Sequence, residues 1–307
     1  LKILYVNDWS VGSEFSASNT GNSYMCDMIF HGARSLFGTD CIDSTRAWYM
    51  YDDSYVDTAR HKLYGLGFNY AAKLPVVKID RSSLREKILD RYFDLIIYGM
   101  GRQRLKPYWD DVIKVYKREQ IVLIDGNDRG NILLNDSLVE KALYFKREFV
   151  TPSKWPKGVL PLSYSIPKSQ VVTTPVQKLG KDQFVSPPNH GEYGFRNEEE
   201  YNKNYQKSMF ALTRQKLGWD CLRHYEIVAN GCIPIFYKYS SIPDSIMTTW
   251  DRSLFRDAYK LMWDTKSQNT RVLTRYYRDL AAAFTDQMLK RQTTEKAVEY
   301  ILNHVNI

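Results

Sequence analysis

The residues best spaced for chemistry lie in one stretch, Phe210 to Phe236. Residues 209–213 are apolar and read as a strand, Gly218 suits a tight turn, and Asp220 follows as a helix N-cap or first-turn acid. Leu222, Tyr225, Ile227 and Val228 give the next segment a helical apolar stripe, Gly231 stops it, and 232–236 make a second short buried strand. Arg223, His224 and Glu226 crowd the first half of that helix, where packing does not call for them. A helix N-terminus beside the carboxyl end of a strand is where α/β proteins hold phosphates. Arg214 and Lys216 add cations to the preceding loop, and Trp219 can cover a ring or plug a surface. The competing reading is structural: Arg223 and Glu226, three positions apart, pair on an exposed helix face, and His224 is an ordinary packed histidine.

The whole chain sets limits on that chemistry. Its 307 residues suffice for one large or two ordinary domains. A net charge of +8 favours anionic partners such as nucleotide diphosphates, nucleic acid or an acidic surface. The four cysteines form no CxxC pair, so zinc-site spacing is missing and reduced, buried thiols are expected. No apolar run reaches transmembrane length, and a cytoplasmic protein is expected. Walker A, HExxH and GxSxG patterns do not occur. Tyr98-Gly99-Met100-Gly101-Arg102 lacks the third glycine of a dinucleotide fingerprint.

The elements that must position these residues follow an alternating order. A strand at 1–6 runs into a small polar loop, a helix is predicted over 24–37 with Gly38 as its stop, and a strand falls within 41–50. Helices at 84–92 and 107–118 alternate with buried, parallel-type strands at 93–99 and 120–126. Residues 52–78 read as a helix-rich excursion or an acceptor loop. Pro-rich, Lys-rich and Ser-rich pieces around 150–175 mark a domain junction, beyond which come a strand at 183–185, a polar helix at 197–208 and a helical tail over 254–304. The expected division is an N-terminal domain 1–160, a C-terminal domain 161–285 and a terminal helix 286–307.

Glu226 stands five residues before Gly231, and Cys232-Ile233-Pro234-Ile235 follows. This pattern, with the phrase running from Gly218 to Ile227 and with Ile124-Asp125-Gly126 and Tyr144 to Glu148 upstream, resembles GT-B glycosyltransferases of the exostosin-like group found in microbes and large viruses. The resemblance is tightest over 210–237, looser over 93–167 and absent over 52–80. It implies an α/β GT-B fold, two Rossmann-like domains facing a central cleft, with a C-terminal helix crossing back to the N-terminal domain. It implies a nucleotide-sugar donor, a UDP-sugar being the expected one, and sugar transfer to a hydroxyl of a glycan or other acceptor. Glu226 would accept hydrogen bonds from the donor ribose, since a vicinal diol suits a carboxylate. Arg223 and the Gly218 turn would face the diphosphate, whose charge grows as the sugar leaves. Arg214, Lys216, Trp219, Asp220 and His224 complete that donor set.

The same resemblance brings Lys146 and Arg147 toward the pyrophosphate, although a charged triplet such as 146–148 ordinarily marks a solvated face. Retaining relatives often carry a glutamate eight residues before the ribose-binding one; here Gly218 occupies that place, so an inverting transfer with a general base in the other domain is expected. Asp8 is the first candidate, followed by Asp125 and Asp128, all after strand ends, with Glu14 in the same loop as Asp8. The Asp-x-Asp of metal-dependent GT-A enzymes does not occur, and neither an essential metal nor a cofactor is expected. Two alternatives stand beside this reading. One is transfer to modified bases of phage or viral DNA, with Arg34, Arg46, Lys62, Arg102, Arg104 and Lys106 as a phosphate track in a host cytoplasm. The other is a non-catalytic nucleotide- or glycan-binding GT-B protein.

Overall fold

The computed structural model describes residues 1–7, 23–53, 70–99, 107–128, 130, 140–149, 158–173, 184–185, 195, 197–264 and 270–306. These form two compact units, one holding the residues up to Leu162 together with those from Thr294 on, the other Ser163–Thr293. The sequence placed the two divisions at 160 and 285.

The first unit is built on six strands: β1 (Ile3–Val6), β2 (Cys41–Asp43), β3 (Leu95–Gly99), β4 (Ile121–Asp125), β5 (Leu143–Lys146) and β6 (Val159–Pro161). They form one sheet in the order β2-β1-β3-β4-β5-β6, and every pairing is parallel. Uninterrupted apolar runs such as Ile121-Val122-Leu123-Ile124 suit strands covered on both faces. Alternate residues Leu4, Val6, Ile96, Tyr98 and Leu123 share a core with Ile88 and Val112, from helices α2 (Leu84–Leu89) and α3 (Trp109–Val115). On the opposite face Tyr5 meets Phe30 of helix α1 (Tyr24–Phe37), with ring centroids 5.1 Å apart, and its hydroxyl donates to the Cys26 carbonyl at 2.7 Å. Helix α1 stops at Gly38, where φ is 52° and the N–H returns to the Arg34 carbonyl, as the sequence predicts. The chain leaves β1 for β2 on one side and then crosses to β3 on the other, so the topological switch point lies between the carboxyl ends of β1 and β3.

The tail ends in helix α8 (Thr294–Leu302), which lies in the first unit against α1. The contact is made close by Gly32. A Cβ on that residue would collide with the Thr294 carbonyl and stand 2.9 Å from Val298 Cγ2. Beside it, His31 Nδ1 lies 2.9 Å from Thr294 Oγ1, and burial holds the imidazole neutral by pushing its pKa down to about 4. Gly32→Ala is therefore expected to overpack this contact and destabilise the unit by about 1–3 kcal/mol. A urea melt checks this, and an alanine variant with the wild-type midpoint would show that the helices do not meet so closely.

The second unit carries a three-stranded parallel sheet, β7 (Phe184–Val185), β8 (Phe210–Thr213) and β9 (Ile233–Phe236), with β8 in the middle. Its helices are α4 (Glu198–Lys207), α5 (Leu222–Ala229), α6 (Arg252–Asp264) and α7 (Thr270–Arg291). Helix α4 starts where Asn197 accepts from the Glu200 N–H at 2.9 Å, with three glutamates in its first turn to oppose the helix dipole. Helix α5 ends in a Schellman-type turn: Gly231 takes φ 66°, its N–H goes to the Val228 carbonyl, and Cys232 N–H goes to Ile227. Tyr225 of α5 packs 5.0 Å from Trp250, which in turn meets Phe255 and Phe284. Parallel sheets with helical connections in both units are compatible with Rossmann-like α/β architecture.

Candidate functional site

The second unit's site is built where β8 gives way to α5. Eight loop residues, 214–221, separate them, and helix α5 begins at Leu222 with Cys221 in the capping position and no side-chain cap. The expectation that Asp220 caps this helix is corrected, since Cys221 holds that position. Asp220 is fully buried and accepts from the Tyr164 N–H and the Tyr225 hydroxyl, each at 2.9 Å. Its carboxylate pins the loop to the core. His224 fits the packed-histidine reading. Its ring is fully buried, Nδ1 lies 2.8 Å from Thr213 Oγ1, Nε2 lies 2.9 Å from the Trp219 carbonyl, and the ring packs 4.7 Å from Phe236. Both nitrogens are engaged, so His224 ties the strand end, loop and helix together. The Gly218 carbonyl accepts from Lys216 N–H at 3.1 Å, and Trp219 is half-buried 6.3 Å from Phe236.

Arg223 and Glu226 behave otherwise. All eight residues of α5 are buried, so Arg223 and Glu226 do not lie on an exposed helix face, as the competing reading had it. Arg223 is 8 % exposed, and its Nε has no hydrogen-bond partner. Glu226 is 5 % exposed. Its Oε2 accepts from the Tyr201 hydroxyl at 2.5 Å, while Oε1 accepts no hydrogen bond among the described residues. Burial pushes the Glu226 pKa up to about 7, against the pull of the Tyr201 hydrogen bond and the charges of Arg223 and Lys216. Lys216 and Arg214 sit in the exposed loop, and partial desolvation together with the Arg223 charge lowers the Lys216 pKa. Two cations, Arg223 and Lys216, therefore act on one carboxylate whose second oxygen accepts no hydrogen bond among the described residues. A folded core seldom leaves buried charges in this state without a function for them.

Sequence reasoning missed Tyr201 and Tyr205. Both rings are buried on α4, and their hydroxyls lie 3.1 Å apart. The signal was present: they are the tyrosines at i and i+4 in an otherwise polar helix, which makes them its inward face.

In the first unit, the base candidates separate. Asp8 and Glu14 lie outside the described residues, as do Lys62, Arg102, Arg104 and Lys106. Asp125 is fully buried and fully engaged. Oδ1 accepts from Asn127 N–H at 2.9 Å, and Oδ2 takes the Tyr144 hydroxyl and the Lys146 ammonium, the latter at 3.1 Å. Each of its oxygens is already bonded within the unit. Asp128, with 44 % side-chain exposure, pairs with Arg147. The charged triplet 146–148 is not a solvated face: Lys146, Arg147 and Glu148 are all buried at the end of β5. Lys146 also reaches the Asn127 carbonyl at 3.3 Å, while Arg147 donates to the Gly126 carbonyl at 3.1 Å and to Glu148 at 3.2 Å. Arg34, placed in the phosphate track, is instead buried and donates to the Gly38 and Cys41 carbonyls. Arg46 pairs with Asp53 at the surface. Asp27 at the start of α1 escaped notice in the sequence: it accepts from the Tyr49 hydroxyl at 2.5 Å, and burial pushes its pKa up to about 7.

Among the described residues, no group of three or more His, Cys, Asp or Glu side chains is placed to hold a metal ion, and no helix is long and apolar enough to cross a membrane. None of the four cysteines is in a disulfide, and all are buried. No protein-family model matches the chain, and a search of curated proteins finds no significant relative.

Proposed function

We propose that the chain is a GT-B-type glycosyltransferase that moves a sugar from a nucleoside-diphosphate donor, a UDP-sugar, to a hydroxyl acceptor with inversion. The second unit is the donor side and the first unit the acceptor side. One observation carries the reading: Arg223 and Glu226 lie buried three residues apart without pairing, Arg223 Nε without a partner and Glu226 Oε1 accepting no hydrogen bond from the described residues. A diphosphate supplies the anion that Arg223 lacks, and a ribose diol supplies the donors that Glu226 Oε1 lacks. Arg214 and Lys216 steer the anion toward the site. The acceptor-side base is assigned to Asp8, which follows β1 in the sequence, ahead of Asp125, whose carboxylate is taken up by bonds within its own unit. Buried thiols suit a reducing, cytoplasmic compartment.

Binding of the donor to the folded state alone raises its melting temperature by mass action. A thermal-shift screen with UDP, GDP, CMP and their sugars is expected to give a clear rise with one nucleotide family. Glu226→Ala, in the folded variant, is expected to raise the donor KM about tenfold or more, the worth of one to two charge-assisted hydrogen bonds. A flat screen, or an alanine variant with the wild-type KM, would remove the proposal.

A further inference from the structure

Opposite charges at i and i+3 of a helix are within reach of each other, and burial strengthens their attraction. Arg223 and Glu226 nevertheless form no ion pair, and the Tyr201 hydroxyl bears on both. It donates to Glu226 Oε2 at 2.5 Å and interacts with Arg223. Tyr205 adds its hydroxyl from one turn further along α4, 3.1 Å from that of Tyr201. The Tyr201 ring cannot easily move aside, being wedged edge-on between Phe195 at 5.5 Å and Tyr205 at 5.0 Å. We infer that Tyr201 is a positioning residue that holds Arg223 and Glu226 apart, so that the arginine and Glu226 Oε1 both stay open to the ligand. Its role in binding rests on the donor-site reading above; its role as a spacer does not.

The charged and titratable groups facing Glu226 come from three elements. Arg223 lies on the same helix, Lys216 on the loop after β8, and Tyr201, Tyr205 and Glu198 on α4. The thiol of Cys232, just before β9, faces Tyr205. Removing only the Tyr201 hydroxyl has opposite consequences under the two possible roles. If Tyr201 merely donates a hydrogen bond to the carboxylate, Tyr201→Phe takes away a stabiliser of the ionised form, and Glu226 titrates higher than in wild type. If Tyr201 is a spacer, Arg223 and Glu226 collapse onto each other, and Glu226 titrates lower, in the ordinary carboxylate range or below it.

The test is a carbon-13 NMR titration of the Glu226 carboxyl in ligand-free wild-type protein and in Tyr201→Phe, with Tyr205→Phe as a second variant that keeps the spacer hydroxyl. A midpoint moved to lower pH in Tyr201→Phe, and little moved in Tyr205→Phe, is the expected result. A midpoint unchanged or raised in Tyr201→Phe overturns the inference. UDP titrations on the same samples are expected to show affinity in Tyr201→Phe weakened about tenfold, because the collapsed pair must be broken before the ligand binds. If wild type binds no nucleotide, the donor-site reading fails while the ligand-free titration still decides the spacer.

Discussion

Asp125→Ala is expected to lower the folding stability by about 3–5 kcal/mol, the usual consequence of leaving one member of a buried ion pair alone. The carboxylate stands at the end of β4, fully buried, and meets the Tyr144 hydroxyl, the Asn127 N–H and the Lys146 ammonium at once. Lys146 is itself sealed from solvent, and burial already lowers its pKa against the opposing pull of Asp125. Without the aspartate it keeps the Asn127 carbonyl and loses its counter-charge. Urea denaturation measures the loss, and Asp125→Ala/Lys146→Met is expected to recover much of it, since an apolar pair in the same volume leaves no buried charge. A single variant within 1 kcal/mol of wild type, roughly the effect of an ordinary surface change, would mean that Asp125 is not structural. It would then return as a candidate base.

Arg223→Met is expected to do the reverse, leaving the ligand-free protein as stable as wild type or more so. Its guanidinium is buried with an unpartnered Nε and without an ion pair, beside the cation Lys216. Methionine fills a similar volume without a charge to desolvate, so the fold loses an unfavourable group. The loss falls on binding instead. Each charge-assisted hydrogen bond to a phosphate is worth about 1.5–3 kcal/mol, so UDP affinity is expected to fall roughly 10- to 100-fold. Ligand-free stability and ligand affinity moving in opposite directions is the signature of a residue kept for binding. A variant that is both less stable and unimpaired in binding would make Arg223 a structural cation.

The physical reasons for what could be read from sequence are visible in particular residues. Helix α1 was legible from Tyr24 to Phe37 because its apolar spacing is helical and Gly38 must take a positive φ. The strands β3 and β4 were legible because apolar runs bounded by Gly99 and Gly126 leave few alternatives. Strand β6 was hidden because Val159–Pro161 is three residues long inside a segment that reads as a linker. At the site, local rules could not read the bonds that Asp220 and His224 make. Asp220 answers to Tyr164, 56 residues away, and His224 to the Trp219 carbonyl, so neither has a role that helix propensity can express. The triplet 146–148 looks solvated by composition, yet Asp125 and Asp128 arrive from the neighbouring strand to neutralise Lys146 and Arg147. Glu226 and Arg223 stood out because packing does not call for their types on that helix, and both prove buried. Tyr201 was not found, because its partner lies 25 positions further along the chain.

The central claim is that Arg223 and Glu226 are held open for one nucleotide, the first for its diphosphate and the second for its ribose. The most direct measurement is a calorimetric titration of wild type and Arg223→Met with UDP and with uridine. The predicted result is that wild type binds UDP far more tightly than uridine, and that Arg223→Met narrows that gap while binding uridine as wild type does. Equal UDP affinities in the two proteins, or no binding of UDP by wild type, would contradict it.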